Sequence, residues 1–275
     1  MPKTTVGDLE VAYEVTGSGP PVVMINGIGS PRAGWSLQVP ALSRYFTVLT
    51  FDNRDVGETG AGADPKPYAM RQFADDVAGL MDAVGWRSAH IVGASMGGAI
   101  AQEFAIGYPD RTRSVSIVCS WPKSDPWMIE LMTQWDHVFE TQGRVAWDRT
   151  TFLWVFTERF FNADPNPLPG LLEESERMPF PQSLESYLRQ SAAFKAHDVL
   201  DRLPLISSPA HVIVGEEDIY TPLRYSLEIA NAIPGATLTT IPEAGHGLFW
   251  EQTDLFNQSL GNFMLEVEQG ANGVD

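Results

Sequence analysis

Apolar residues along this chain keep two alternating rhythms. Short continuous runs such as Val22-Val23-Met24-Ile25, His90-Ile91-Val92, Val115-Ser116-Ile117-Val118 and Ala210-His211-Val212-Ile213-Val214 read as strands buried on both faces. Between them lie stretches with helical spacing. Within 70–84, Phe73, Val77, Leu80, Met81 and Val84 share one face, which predicts an amphipathic helix packed on a sheet. Further strands are expected at 4–9, 11–15, 44–51 and 237–241, and turns such as Thr16-Gly17-Ser18-Gly19-Pro20-Pro21 separate the first of them. Strands alternate with helices, so the expected fold class is α/β, with a mostly parallel sheet covered on both sides. The polar tail, 269–275, is expected to fray.

Residues 121–200 break this rhythm. They hold Trp121, Trp127, Trp135, Trp147 and Trp154, together with seven phenylalanines. Helices are expected near 127–141, 144–161 and 184–196, around a Pro-rich break at 164–170, and no strand pattern is evident. A chain of 275 residues with 44% hydrophobic residues can bury one large core. The expected organisation is therefore a single core, 1–120 and 201–275, carrying a helical insertion, 121–200.

The most informative chemistry lies at Gly93-Ala94-Ser95-Met96-Gly97, between the strand ending near Val92 and the helical run Ala99–Ala105. Gly-x-Ser-x-Gly between strand and helix is a nucleophile elbow, a strained turn that lifts the serine hydroxyl clear of the sheet. Glycines flank it because side chains there would collide with the neighbouring strand and helix. The helix N-terminus behind the serine offers oriented N–H groups to a developing oxyanion.

Partners stand downstream in the order such a serine needs. The strand 210–214 runs into Gly215-Glu216-Glu217-Asp218, and the strand 237–241 into Pro242-Glu243-Ala244-Gly245-His246. Both candidates sit just past strand C-termini, where open α/β sheets gather their chemistry. The expected catalytic residues are Ser95 as nucleophile, His246 as base and Asp218 as the acid that orients the imidazole.

On these residues the chain resembles the α/β-hydrolase family over nearly its whole length. Asn26-Gly27-Ile28-Gly29-Ser30 is similar to the family's oxyanion loop, and Asp52-Asn53-Arg54-Asp55-Val56-Gly57 to its Asp-x-Arg-Gly-x-Gly turn. Many members carry His where Asn26 stands and Gly where Asp55 stands. The first loop looks like that of 3-oxoadipate enol-lactonases, and carboxylesterases share the overall pattern. The resemblance implies an eight-stranded sheet, a helical cap after the sixth strand, and an oxyanion hole formed by the backbone N–H groups of Ile28 and Met96. Some members place the acid after the sixth strand instead, which makes Asp125 the rival to Asp218.

Composition narrows the partners. The formal charge of −17 argues against nucleic acid and anionic membrane surfaces, both of which select cationic faces. The single cysteine, Cys119, precludes an internal disulfide and reads as a small buried residue. The first residues carry no signal-peptide pattern and no apolar run approaches 18 residues, so a soluble, cytoplasmic protein is expected. No nucleotide-binding glycine pattern and no metal-ligand spacing occurs in the sequence, so neither cofactor nor metal is expected. His90 and His211 read as structural, and neither His137 nor His197 is expected to be catalytic.

These observations imply a cofactor-free serine hydrolase acting through an acyl-enzyme on Ser95, with a small-molecule ester or lactone as substrate. Enol-lactonase, C–C bond hydrolase and perhydrolase or haloperoxidase activities use the same three residues. A slow hydrolase-like ligand sensor is the non-enzyme alternative, although binding alone would not require all three. The insertion holds seven basic residues against twelve acidic ones, and its aromatic content favours neutral, fairly hydrophobic esters over carboxylate-bearing ones.

Overall fold

The structure, a computed structural model, describes residues 2–62 and 67–272, with the side chains of 271 and 272 left aside. Eight strands form one sheet: β1 (Lys3–Val6), β2 (Leu9–Gly17), β3 (Pro21–Ile25), β4 (Thr47–Phe51), β5 (Ala89–Ala94), β6 (Thr112–Val118), β7 (Ala210–Gly215) and β8 (Thr237–Ile241). Their order is β1-β2-β4-β3-β5-β6-β7-β8. The hairpin β1–β2 and the pair β2–β4 are antiparallel, and every later pairing is parallel.

The central strands are buried on both faces, which is why their sequences are continuously apolar. In β3, Val23 and Ile25 enter one core layer while Val22 and Met24 enter the other; in β7, Val212 and Ile213 divide likewise. Phe73, Val77, Leu80 and Met81 of the helix Met70–Ala83 pack into the first layer, with Phe104 of the helix Met96–Gly107. Phe256, Leu260 and Met264 of the C-terminal helix Thr253–Asn272 close the second. Full burial of side chains of this size contributes about 1.5–3 kcal/mol each.

Several boundaries differ from the sequence expectation. The strand expected over 4–9 stops at Val6, because Gly7 takes φ 57° and turns the chain into β2. The strand expected over 44–51 begins at Thr47. Tyr45 and Phe46 instead donate their N–H groups to the Leu42 carbonyl, and Phe46 fills the second core layer from a turn. The tail expected to fray from 269 stays helical to Asn272; 273–275 lie outside the described residues.

Between β6 and β7 the chain forms helices Pro126–Gln142, Arg144–Val155, Glu158–Phe161, Leu168–Glu176 and Leu184–Ala196. The helix expected over 144–161 is broken. Phe156 is extended, and the Thr157 hydroxyl caps the next turn by accepting from the Phe160 N–H. The break lets the insertion dock, since Thr157 donates through both its N–H and its hydroxyl to Glu251 Oε1, at 2.9 and 2.6 Å. The Pro-rich segment starts a helix as well as ending one: Pro169 sits in the first turn of Leu168–Glu176, where its missing N–H costs nothing. Among the described residues no helix is long and apolar enough to cross a membrane.

Candidate active site

Ser95 stands between β5 and the helix Met96–Gly107 at φ 57° and ψ −122°. A non-glycine residue in this region carries strain of about 1–3 kcal/mol, held here by neighbouring bonds. The Ser95 N–H donates to the Val118 carbonyl at 2.8 Å, and its carbonyl accepts from the Ser120 hydroxyl at 2.9 Å. The two flanking glycines are dictated by contact. A Cβ on Gly93 would strike the Gly97 carbonyl, and one on Gly97 the Ile25 carbonyl.

The loop after β3 lies against this turn. A Cβ on Gly27 would sit 3.1 Å from Ser95 Cβ and 3.5 Å from its Oγ. Among the described residues, neither the Ile28 nor the Met96 N–H has a protein acceptor, whereas the adjacent Gly29 N–H donates to Gln190 Oε1 at 3.0 Å. The Asn26 carbonyl accepts from Asn53 Nδ2 at 3.0 Å, and Asn26 Nδ2 donates to the Pro31 carbonyl at 2.6 Å. Asn26 thus braces its own loop through both its backbone and its side chain.

The ends of β7 and β8 bring Asp218 and His246 together. His246 Nδ1 lies 2.9 Å from Asp218 Oδ2 and 3.0 Å from Thr221 Oγ1. Asp218 also accepts from the Thr221 hydroxyl at 2.8 Å and from the N–H groups of Tyr220 and Thr221 at 2.9 and 2.7 Å. With three protein donors already turned toward them, the Asp218 oxygens face Nδ1 as acceptors. The proton therefore belongs on Nδ1, which leaves Nε2 as the basic nitrogen. The Tyr220 ring packs on the imidazole at 4.5 Å, and Trp135 packs on Tyr220 at 4.8 Å.

Cys119 links the two halves. Its predecessor Val118 holds the Ser95 N–H, and its own thiol donates to the His246 carbonyl at 3.1 Å. The Cys119 sulfur, an Asp218 oxygen and a His246 nitrogen all lie within 4.8 Å of one another, a group the sequence spacing did not reveal. Burial raises the Cys119 thiol well above its usual range, with the Asp218 and Glu251 charges adding to the shift. The thiol, the carboxylate and the imidazole are each committed to a hydrogen bond in this cluster.

Other candidates fall elsewhere. Asp125 caps the helix Pro126–Gln142 by accepting from the Met128 N–H, and its other oxygen accepts from Tyr225 at 2.7 Å and Arg224 at 2.9 Å. His90 pairs with Ser114 at 2.7 Å and His211 with Thr239 at 2.9 Å, both within the sheet. Thr221 was not anticipated. Its signal was the Asp218-x-x-Thr221 spacing, in which an aspartate side chain accepts backbone N–H groups two and three residues on.

Asp55 has φ 68°, a region Asp tolerates better than most residues. Its loop also holds the insertion. Gln182 Nε2 donates to the Asp55 carbonyl at 3.0 Å, and Gln190 Nε2 to the Arg54 carbonyl at 2.7 Å.

Serine elbow, Asp–His pair and eight-stranded sheet together define a hydrolase of the α/β class. A family model described as alpha/beta hydrolase fold matches residues 20–253, and the chain belongs to that family. RutD of Azorhizobium caulinodans, a candidate carbamate hydrolase, is 28% identical over 269 residues, covering 98% of this chain and 100% of that protein. The enol-lactonase from Burkholderia xenovorans LB400 superposes with a TM-score of 0.87 at 28% identity, covering 96% of this chain and 100% of that one. A thermophilic esterase from Thermogutta terrifontis superposes with a TM-score of 0.84 at 27% identity, covering 96% of each chain.

Proposed function

We propose that this chain is a serine hydrolase of neutral carboxylic esters, with Ser95, His246 and Asp218 as its catalytic residues and a small molecule as its partner. The observation that carries the reading is the Asp218–His246 bond, which fixes the Nδ1–H tautomer in a loop tied through Cys119 to the Ser95 elbow. His246 Nε2 takes the hydroxyl proton as Ser95 Oγ bonds to the ester carbonyl carbon. The oxyanion so formed accepts from the free N–H groups of Ile28 and Met96. As the C–O bond to the alcohol breaks, His246 returns the proton to the departing oxygen and the acyl group stays on Ser95. Water, deprotonated by the same nitrogen, then releases the acid.

In this reading residues 121–200 form a cap over Ser95. Tyr220 and Trp135 supply aromatic surface beside His246, and Trp147 presents a ring edge 3.7 Å from where a Gly29 Cβ would stand. Such a lining favours an apolar acyl or alcohol group. A second reading, lactone or carbamate cleavage by the same residues, draws support from the likeness to the Burkholderia enol-lactonase and to RutD. Specificity constants for an aryl butyrate, a carboxylate-bearing enol-lactone and a simple carbamate separate them. The ester reading expects the butyrate to lead, and a tenfold lead for either alternative replaces it.

A further inference from the structure

Among the described residues, two buried polar atoms beside the loop after β3 have no hydrogen-bond partner: Gln182 Oε1 and Arg144 Nη1. Both face Gly29. A Cβ built there would lie 3.0 Å from Gln182 Oε1 and 3.9 Å from Arg144 Nη1. Gln182 is only 6% exposed, and its amide orientation is fixed, because Nε2 donates to the Asp55 carbonyl. Reversing the amide would set oxygen against oxygen. Arg144 has its charge balanced elsewhere, with Nε donating to both Asp148 oxygens at 3.0 and 2.9 Å. Unused acceptors and donors are costly to bury, so such atoms in pairs point to a ligand that completes them.

The distance to the reacting centre is short. Gly27 abuts Ser95 Oγ, and two peptide units separate its Cα from that of Gly29 by at most about 7.6 Å. Gln182 also lines a cavity of about 180 Å³ with Asp55, Gly57 and Ser186, on the side of its side chain away from Arg144 and Ser95, neither of which lines it.

We infer that Gln182 and Arg144 form a specificity subsite for a neutral group offering one donor and one acceptor, a hydroxyl or a carboxamide, carried a few bonds from the scissile carbonyl. Its oxygen accepts from Arg144 Nη1, and its O–H or N–H donates to Gln182 Oε1. A carboxylate satisfies only the arginine, turns its lone pairs on Gln182 Oε1, and enters beside the Asp148 charge. An unsubstituted alkyl chain satisfies neither atom. The inference rests on Ser95 being the nucleophile, since that sets where the carbonyl lies.

The test compares ethyl 3-hydroxybutyrate, ethyl butyrate and monoethyl succinate. The wild-type protein is expected to show a specificity constant for the hydroxy ester at least about tenfold above either other ester, because a site built to bond a hydroxyl discriminates against analogues lacking it. In Gln182→Leu the hydroxy-to-plain ratio is expected to fall close to one. Equal constants for all three esters, a lead for the succinate, or an unchanged ratio in Gln182→Leu overturns the subsite. The wild-type comparison needs no variant, so a Gln182→Leu chain that fails to fold leaves it standing. Calorimetric binding of the same esters to Ser95→Ala keeps the two readings apart. If no ester is turned over, the hydrolase reading fails, and the same tenfold preference in Kd still decides the subsite.

Discussion

Arg189 reaches from the insertion to grip both carboxylate oxygens of Asp55, Nη2 to Oδ1 at 2.7 Å and Nε to Oδ2 at 2.8 Å. The Ser186 hydroxyl adds a third bond to Oδ1 at 3.0 Å. With side chains 11% and 1% exposed, the pair is buried, and removing one partner strands the other's charge. Asp55→Ala is therefore expected to cost about 3–5 kcal/mol, seen as a Tm lowered by about 10 °C. Asp55→Asn, which tolerates the same backbone and keeps one acceptor, should lose less. Thermal denaturation of both variants checks this, and an unshifted Asp55→Ala would show that the pair adds no net stability.

The three proposed catalytic residues act as a unit. Ser95→Ala and His246→Ala should each lower kcat by about 10⁴–10⁶, and the double variant should lose little more. Asp218→Asn should cost about 10⁴, because it disturbs the Nδ1–H tautomer. Asp125→Asn should keep near-normal kcat, since Asp125 caps a helix and bonds Tyr225 and Arg224. If Asp218→Asn works and Asp125→Asn does not, the acid has been misassigned.

Thr221 holds the Asp218 carboxylate and touches the same imidazole nitrogen. Thr221→Val preserves shape and removes both side-chain bonds, so the imidazole loses one of its two restraints. The expected result is kcat lowered about tenfold with KM little changed, as for supporting partners that orient a reacting group. Steady-state kinetics on one ester are sufficient, and a change confined to KM would place Thr221 in substrate binding instead.

Three histidines buried outside the site predict acid sensitivity. Burial lowers His90 to about 4, His211 to about 4 and His197 to about 3, with Arg113 adding to the first shift and Arg202 to the last. Glu268 partly opposes the shift at His90, and Asp198 that at His197. In the unfolded chain each titrates near 6.5. Above that pH their contribution is intact. As pH falls, the unfolded state gains protons the folded state refuses, so stability is lost progressively from about 6.5 down to the folded values. Each histidine adds a slope of up to about 1.4 kcal/mol per pH unit within its window. Urea denaturation at pH 7, 6 and 5 should show this decline, and His211→Gln should flatten it. An identical decline in that variant would assign the sensitivity to other groups.

What the sequence revealed depended on how each feature is written. Burial on both faces writes itself as unbroken apolar runs, so β3, β5, β6 and β7 were legible. The elbow was legible because Gly93 and Gly97 answer to backbone contacts that no other residue tolerates. The break at Phe156-Thr157 was hidden by a helical spacing that runs through it, although Thr157 followed by Glu158 has the chemistry of a helix start. Gln182, Arg189 and Gln190 could not be found from spacing, because their partners at Asp55, Arg54 and Gly29 lie more than a hundred residues away. Arg144 belongs with them: the surplus of acidic residues in the insertion concealed one guanidinium whose Nη1 lies 3.9 Å from where a Gly29 Cβ would stand.

The most direct test of the central claim is the site of covalent capture. A fluorophosphonate should add once per chain, the modified peptide should carry the phosphonyl group on Ser95, and activity should vanish in step with its mass. Ser95→Ala should stay unlabelled, and His246→Ala should label far more slowly because its serine lacks a base. Labelling of another residue, or full activity in a chain fully modified at Ser95, would contradict the account.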